Sequence, residues 1–500
     1  MKIKNKYIEI NHKCNVIFSA FNNCVQYYMA GHKKILLILG MICIFISPIF
    51  FARKSLDNDI WFLLNSGRYI LNHGFTAIEP FSIHEGLAFS FQQGLTDIYF
   101  YGAYKLGGEK LLIAVIMAEA IVMLILYYRL CKIVSDGHTG QSMLSTILFS
   151  GISSIFMTTR PQISSFIVLI VELIILEKWV RTQHHQFLFF LPVLSALEIN
   201  LHAATWWMLF IFMMPYLFEV KWIKGERVKP DQYRKKPLIL AGLSMFLSGF
   251  FNPYGLDNIL YLIKSQGTKY SQYIDEMKPC TYESFGMYLI IGISAIILVH
   301  HLRSLKVIKL RYVYLYLGTV LMTLVNQRSE VLFAMVALMI TAYEFRKSKV
   351  THFSIAWLFC YVEIVVGVYI VFSRLKPQES YETALNEHRQ IISYLQNCAS
   401  KDAHLFTDYN AGGLYEFEGY SCFIDARMEV YLKSMNGVKS FFDEYVEAEM
   451  GAIYYHNFLK AYDFDYYIFD KSRTFYINVS HDNRYLCLYE TDQYALFKNR

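Results

Sequence analysis

The sequence predicts an α-helical, multi-pass membrane protein that ends in a small soluble α/β domain. Of its 500 residues, 55% are hydrophobic and 18% are charged, whereas charged residues make up roughly 25% of an ordinary soluble domain. Apolar runs recur along residues 35–373, and short loops rich in lysine and arginine separate them. Residues 374–500 instead alternate strand-like and helix-like segments, which is the pattern of an α/β domain.

The apolar runs number about eleven, and several are near the short end of the roughly 17–25 residues that a transmembrane helix needs. We predict spans at residues 35–52, 111–128, 142–158, 163–176, 187–199, 206–218, 237–251, 286–299, 312–325, 331–343 and 354–372. Every basic loop then falls on one side, with the strongest cluster in residues 219–236. Basic loops face the cytoplasm.

This topology places the basic segment 1–34 in the cytoplasm and residues 374–500 outside, with the protein in the plasma (inner) membrane. The net charge of +6 belongs to the inner loops, where it sets topology, so it does not indicate nucleic acid. The nine cysteines are scattered, without the spacing of a zinc site.

Residues 53–110 form the first predicted outer loop, which is too polar for lipid and too aromatic for a linker. Asp57 and Asp59 follow the first span at the water–lipid boundary, where a lipid-linked substrate presents its head group. Either carboxylate could act as a general base. The pair could instead hold a divalent cation such as Mg²⁺ or Mn²⁺, or Asp59 could cap the following helix.

Three cationic or ionisable residues stand at the outer ends of different predicted spans: Arg160, His202 and Arg328. Together they could bind a phosphate group, although each could also extend separately to the interface. Acidic residues within spans are functional candidates because charge is costly in lipid; they are Glu119, Glu172 and Glu363.

Short motifs in a fixed order resemble bacterial GT-C glycosyltransferases, which are multi-spanning enzymes that use polyprenyl-phosphate sugars. In the first loop the motifs are Asp57-Asn58-Asp59-Ile60-Trp61, Pro80-Phe81-Ser82, Gln92-Gln93 and Gly107-Gly108. Further along they are Arg160-Pro161-Gln162, Asn200-Leu201-His202, Asn252-Pro253-Tyr254-Gly255 and Arg328. In the tail they are Asn410-Ala411-Gly412-Gly413 and Phe423-Ile424-Asp425-Ala426-Arg427.

The resemblance implies a GT-C-like transmembrane domain over residues 35–373, with its catalytic loop at 53–110, and a soluble extracytoplasmic domain at 374–500. It implies inverting transfer of a sugar from a polyprenyl-phosphate donor to a glycan, lipid or protein acceptor, with Asp57 or Asp59 as the base. Trp61 and Gln93 would then bind substrate together with Arg160, His202 and Arg328.

Two other functions fit many spans and buried acids. One is a transporter or flippase of lipid-linked saccharides, although transporters more often show an internal repeat and none is apparent here. The other is a non-catalytic subunit with the GT-C fold. Loss of sugar transfer in a double Asp57/Asp59 variant would separate the enzyme from both.

Overall fold

The computed structural model describes residues 35, 38–42, 44–49, 56–218, 221–223, 226–228, 234–266, 274, 277–304, 308–347 and 379–500. The predicted cytoplasmic segment 1–34, the predicted last span 354–372 and Glu363 lie outside the described residues. Helices dominate the described chain up to residue 347, and a five-stranded sheet lies in the tail.

Residues 38–42 and 44–49 are helical, and eleven further α-helices of the described residues precede the tail, most of which coincide with predicted apolar spans. They are α1 Ile60–His73, α2 Gly94–Val134, α3 Thr139–Ser153, α4 Gln162–Thr182, α5 Phe190–Leu201, α6 Trp206–Met213, α7 Lys236–Ser248, α8 Leu256–Gln266, α9 Phe285–Ser304, α10 Leu310–Val325 and α11 Glu330–Glu344.

Among the described residues, α2 is the one helix whose length and composition would let it cross a membrane. Shorter apolar helices occupy several of the other predicted spans, so the count of about eleven crossings stays a prediction. Helix α2 also begins earlier than predicted, at Gly94 rather than near 111. The backbone kinks at Gly107 and at Gly108, where φ is 62°, so the polar first part is a separate helical segment within the predicted loop.

The loops predicted to be cytoplasmic meet at one end of the helices. Asp136 accepts hydrogen bonds from Arg181 at 2.7 Å and from Arg346 at 3.0 Å. Strand β1 (Lys221–Ile223) pairs antiparallel with β2 (Glu226–Val228) and with β3 (Ile308–Lys309). Helix α4 has 21 residues, and at 1.5 Å per residue it separates this end from the opposite one by about 30 Å.

Arg311, predicted to lie in an inner loop, is instead fully buried in the helical core. Its Nε and Nη2 atoms contact the two carboxylate oxygens of Glu177 at 3.0 and 3.1 Å, and both side chains are 0% exposed. A buried charge needs such a two-point partner because its desolvation is costly.

The tail is an α/β domain. Its strands are β4 His404–Phe406, β5 Ser421–Cys422, β6 Tyr466–Asp470, β7 Tyr485–Glu490 and β8 Tyr494–Asn499. Their order is β5-β4-β6-β8-β7, with β4 parallel to its two neighbours and β8 antiparallel to both of its own. Its helices are α12 Glu379–Cys398, α13 Gly412–Phe417, α14 Lys433–Asn436, α15 Phe441–Glu449, α16 Tyr455–Ala461 and α17 Thr474–Ser480.

The tail packs directly on α1. A methyl group at Gly413 would lie 3.3 Å from the backbone nitrogen of Phe62, so the small residue allows the start of α13 to approach α1 closely. Trp61 fills the space beside this contact, with its ring 5.6 Å from that of Phe417 and 6.3 Å from that of Tyr104. The tail therefore completes the surroundings of the first loop.

Candidate active site

A cavity of about 240 Å³ lies where α1, the outer ends of several helices and the tail meet. Its polar lining comes from segments far apart in sequence. The lining includes Asp59, Ser66, Ser90, Gln92, Gln93, Asp97, Arg160, Gln162, His202, Tyr261, Ser265, Arg328, Tyr409, Arg427 and Glu429. The cavity therefore contains five of the seven residues that the sequence suggests for the site.

Arg160 joins the two aspartates of the first loop. Its Nη2 lies 3.0 Å from Asp57 Oδ1 and 3.1 Å from Asp59 Oδ2. The Asp59 side chain is 32% exposed and lines the cavity, whereas the Asp57 side chain is 9% exposed and accepts the backbone N–H of Asp59 at 3.3 Å. Asp59 occupies the N-cap position of α1 but its side chain makes no capping hydrogen bond.

His202 ends α5 and faces the same cavity. The turn around it is fixed by two hydrogen bonds to the first loop: Ala203 N–H donates to Gln92 O at 2.8 Å, and Thr96 Oγ1 donates to Leu201 O at 2.7 Å. His202 Nδ1 contacts Ser165 Oγ at 2.9 Å. Burial, together with the nearby Arg328 cation, lowers the pKa of His202 to about 3, so this imidazole is neutral.

Arg328 reaches the cavity from the short turn before α11. Its backbone N–H donates to Asn326 Oδ1 at 2.9 Å, which holds the turn in place. Arg160, His202 and Arg328 thus come from the starts or ends of three different helices and line one space.

The tail contributes residues that the sequence interpretation missed: Tyr409, Arg427 and Glu429. Burial raises the pKa of Glu429, and the negative charge of Asp59 raises it further. The motif containing Arg427 was visible in the sequence as part of the resemblance, but nothing in it indicated that the arginine would reach the first loop.

Arg427 is the centre of a buried ionic cluster. Its Nη2 contacts Glu79 Oε1 at 2.8 Å and Glu416 Oε2 at 3.4 Å, and its Nε donates to Asp425 Oδ2 at 2.7 Å. Three carboxyl groups surround one guanidinium; burial raises the pKa of Glu416, as does the adjacent Asp425 charge. Glu416 is therefore the member of the cluster whose neutral form the surroundings favour.

The two other predicted substrate-binding residues occupy different places. Gln93 lines the cavity, beside Gln92, whose Nε2 donates to Asn258 at 2.9 Å. Trp61 lies on another face of α1, against Tyr104 and Phe417, and does not line this cavity. Trp61 lines a second, separate cavity with Asn58 and His388, and its contact with substrate stays a prediction.

The carboxylates of Asp57 and Asp59 pair with an arginine in this structure. The Arg160 guanidinium contacts both of them. Within the described part of the chain, no group of three or more His, Cys, Asp or Glu side chains has the arrangement of a metal site. The residues present favour a site charged by arginine.

Of the predicted acids of the helices, Glu119 is partly buried and Glu172 is fully buried. Glu119 accepts hydrogen bonds from Tyr99 at 2.7 Å and from Ser164 at 3.3 Å. Glu172 is 0% exposed, and the negative charge of Glu198 on the neighbouring helix acts on it. Neither lines the cavity.

Known proteins match this chain in structure but not in sequence. No protein-family model matches the chain, and no curated protein matches it in sequence. The fold is similar to that of the Archaeoglobus fulgidus oligosaccharyltransferase tethered with an acceptor peptide containing the NVT sequon, with a TM-score of 0.55, 11% identity and coverage of 88% of this chain and 70% of that one.

Two further structures of the Archaeoglobus fulgidus enzyme are equally similar. The apo form has a TM-score of 0.55 at 11% identity, covering 87% of this chain and 69% of that one. The complex of AglB with an inhibitory peptide and a dolichol-phosphate has a TM-score of 0.55 at 11% identity, covering 88% and 70%. At this identity the likeness establishes the fold alone.

Proposed function

We propose that this protein is a glycosyltransferase that moves a sugar from a polyprenyl-phosphate donor to an acceptor hydroxyl or amide at the outer face of the membrane, with inversion. One observation carries the proposal: Asp59 shares a cavity with Arg160, His202 and Arg328. A carboxylate beside several cationic or hydrogen-bonding groups is what transfer from a phosphate leaving group requires.

Asp59 is the base in this proposal, and Asp57 orients Arg160. Asp59 lines the cavity, while Asp57 is 8% exposed and is engaged by Arg160 and by the backbone of the turn. As a carboxylate, Asp59 can accept the proton of an acceptor nucleophile. The nucleophile then attacks the anomeric carbon from the side opposite the phosphate.

Arg328, His202 and Arg160 stabilise the phosphate as its bond to the sugar breaks. The bonding electrons leave with the phosphate oxygen, so negative charge grows there during the reaction. Fixed cations and N–H donors are most effective against charge that develops in the transition state. A guanidinium suits this role because it can donate two parallel hydrogen bonds to phosphate oxygens.

The outer face is supported by the distribution of charge along the helices. The cavity lies at one end of α4, next to Arg160, and the basic cluster of Arg181 and Arg346 around Asp136 lies at the other. Because positively charged loops face the cytoplasm, the cavity end faces outward. The glycosyltransferases of the resemblance and the dolichol-phosphate complex of AglB fit a lipid-phosphate donor.

The test is sugar transfer by the purified full-length protein in lipid nanodiscs, with a polyprenyl-phosphate sugar as the donor. Asp59→Asn should lower the rate by about 10²–10⁴-fold, as expected for loss of a general base, while donor binding persists. Asp57→Asn should have a smaller effect through Arg160. Arg328→Ala should weaken donor binding more than acceptor binding.

A matched control is Asp402→Asn, since Asp402 is an exposed aspartate of the tail outside the cavity. It should transfer sugar at the wild-type rate. Wild-type transfer by the Asp57→Asn/Asp59→Asn double variant would show that this loop is not the catalytic centre, and it would favour a transporter or a non-catalytic subunit.

A further inference from the structure

A chain of hydrogen-bonding side chains runs from the cavity into the helical core. His202 Nδ1 contacts Ser165 Oγ at 2.9 Å, Ser165 Oγ contacts Thr205 Oγ1 at 3.0 Å, and Thr205 Oγ1 contacts a carboxyl oxygen of Glu198. Glu198 is 0% exposed. The chain therefore links an imidazole that faces the candidate phosphate site to an acid that water does not reach.

The direction of these hydrogen bonds depends on the charge of Glu198. An ionised carboxylate can only accept, so Thr205 donates to it and Ser165 donates to Thr205. Ser165 Oγ then accepts from Nδ1–H of His202. In a neutral imidazole the other nitrogen carries no proton, so Nε2 presents a lone pair to the cavity and would repel a phosphate oxygen.

A protonated Glu198 gives the opposite tautomer. Its O–H donates to Thr205, and the Thr205 hydroxyl donates to the carbonyl oxygen of His202, 2.8 Å away. Ser165 is then free to donate to Nδ1. The imidazole proton moves to Nε2, which becomes a hydrogen-bond donor toward the cavity.

The surroundings of Glu198 favour the protonated form. No described cation pairs with the Glu198 carboxyl in the core, and Glu172 of α4 adds a second buried acid beside it. Burying an unpaired charge is costly. The charged groups facing His202 are Arg328 and, across the cavity, Arg160, Asp59 and Asp97.

We propose that Glu198 acts as a positioning residue that selects, through Thr205 and Ser165, the tautomer of His202, and that its protonated form makes Nε2–H a donor to the phosphate group of the substrate. The hydrogen bond from Nε2–H to a substrate phosphate rests on the proposed function, whereas the control of the tautomer by Glu198 does not. The step balances when one proton enters from the cavity at Nε2, the Nδ1 proton passes to Ser165, and one proton moves on through Thr205 to Glu198. The imidazole stays neutral and Glu198 gains one proton.

The tautomer can be measured directly. In full-length protein labelled with ¹⁵N-histidine, the Nδ1 and Nε2 shifts distinguish the two forms, and a His202→Gln sample identifies the signal. We expect Nε2–H at about pH 6 and a change toward Nδ1–H as Glu198 ionises at higher pH, without formation of a charged imidazolium. Glu198→Gln, whose amide still donates to Thr205, should hold Nε2–H throughout.

Binding of farnesyl phosphate, with farnesol as the uncharged control, tests the consequence. The ratio of wild-type to Glu198→Gln dissociation constants should rise from about one at low pH to about tenfold at high pH, the cost of losing a hydrogen bond to a charged group. Farnesyl phosphate itself titrates in this pH range, but this affects its binding to both proteins equally and therefore cancels in the ratio. Glu119→Gln, which removes a partly buried acid outside this hydrogen-bonded chain, should leave the ratio flat.

Thr205 Oγ1 also lies 3.3 Å from His202 Nδ1, so the chain is broken only when both hydroxyls are removed. The double variant Ser165→Ala/Thr205→Val should make His202 insensitive to Glu198→Gln. A tautomer that is the same in wild type, in this double variant and in Glu198→Gln at every pH would overturn the inference. A tautomer that follows Glu198 without any binding of farnesyl phosphate would support the control by Glu198 and count against the proposed function instead.

Discussion

Arg427 of the tail forms a buried ion pair with Glu79 of the first loop, with 2.8 Å between Nη2 and Oε1. The Arg427 side chain is 3% exposed and that of Glu79 is 0% exposed. Glu79 also accepts the backbone N–H groups of Phe81 and Ser82, each at 2.9 Å. One guanidinium therefore fixes the shape of the loop and docks the tail on it.

Arg427→Ala should destabilise the protein strongly. It leaves three carboxyl groups without their cation in a buried space, and breaking a buried ion pair from one side costs about 3–5 kcal/mol. The measurement is the midpoint of thermal unfolding in detergent, together with the protease resistance of the tail. Arg484→Ala, at an exposed pair with Asp482, should leave both unchanged. Equal effects of the two substitutions would contradict a docking role for Arg427.

The meeting of Arg160, His202 and Arg328 could be anticipated from the sequence because all three stand at the same ends of predicted helices. Helices that alternate in direction bring those ends to one level. The contribution of Arg427 and Glu429 to the cavity could not be anticipated. Arg427 contacts Glu79, which is 348 positions away in sequence, and this contact depends on how the tail docks on the first loop. That docking is decided by side-chain packing, which no local pattern encodes.

The different place of Trp61 follows from the helical period. Asp59, Phe62, Leu63 and Ser66 line the cavity, at the spacing of one face of α1. Trp61 is displaced from that face and packs on Phe417 of the tail. Its nearness to the aspartates in sequence suggested a shared site, whereas the helix turns it toward the tail.

Gly67 should tolerate no side chain. A methyl group there would lie 2.0 Å from the carbonyl oxygen of Asp97, so Gly67→Ala must separate α1 from α2 and widen the cavity. We expect a lower midpoint of thermal unfolding and weaker donor binding. Gly102→Ala is the matched control, because nothing lies within 4 Å of a methyl group at that position of α2; it should be neutral or slightly stabilising. If Gly67→Ala has the wild-type thermal midpoint and the wild-type affinity for the donor, the close contact between α1 and α2 is not needed for either.

Sugar transfer should not depend on a divalent cation. Arg160 already pairs with both Asp57 and Asp59, so removal of metal ions by a chelator should leave the rate unchanged. Arg160→Ala should release both carboxylates, which are oxygen ligands of the kind that Mn²⁺ accepts. Mn²⁺ binding, measured by electron paramagnetic resonance, should therefore appear in the variant and be absent from wild type. Loss of wild-type activity on chelation would refute an arginine-charged site.

The tail should lose stability between about pH 6.5 and pH 4 because of His388. Its ring packs 4.0 Å from that of Tyr494, and Nδ1 lies 3.0 Å from the Tyr415 hydroxyl. Burial lowers the pKa of His388 from 6.5 to about 4. Within that range the unfolded chain binds a proton that the folded tail does not, so stability falls as the pH falls, by at most about 3 kcal/mol. Above pH 6.5 the imidazole is neutral in both the folded and the unfolded state, so its contribution to stability is constant.

His388→Gln should therefore flatten the pH dependence of the thermal midpoint relative to wild type, while substitution of the exposed His481 by Gln should not. Parallel curves for all three proteins would rule out His388 as the source of the pH dependence.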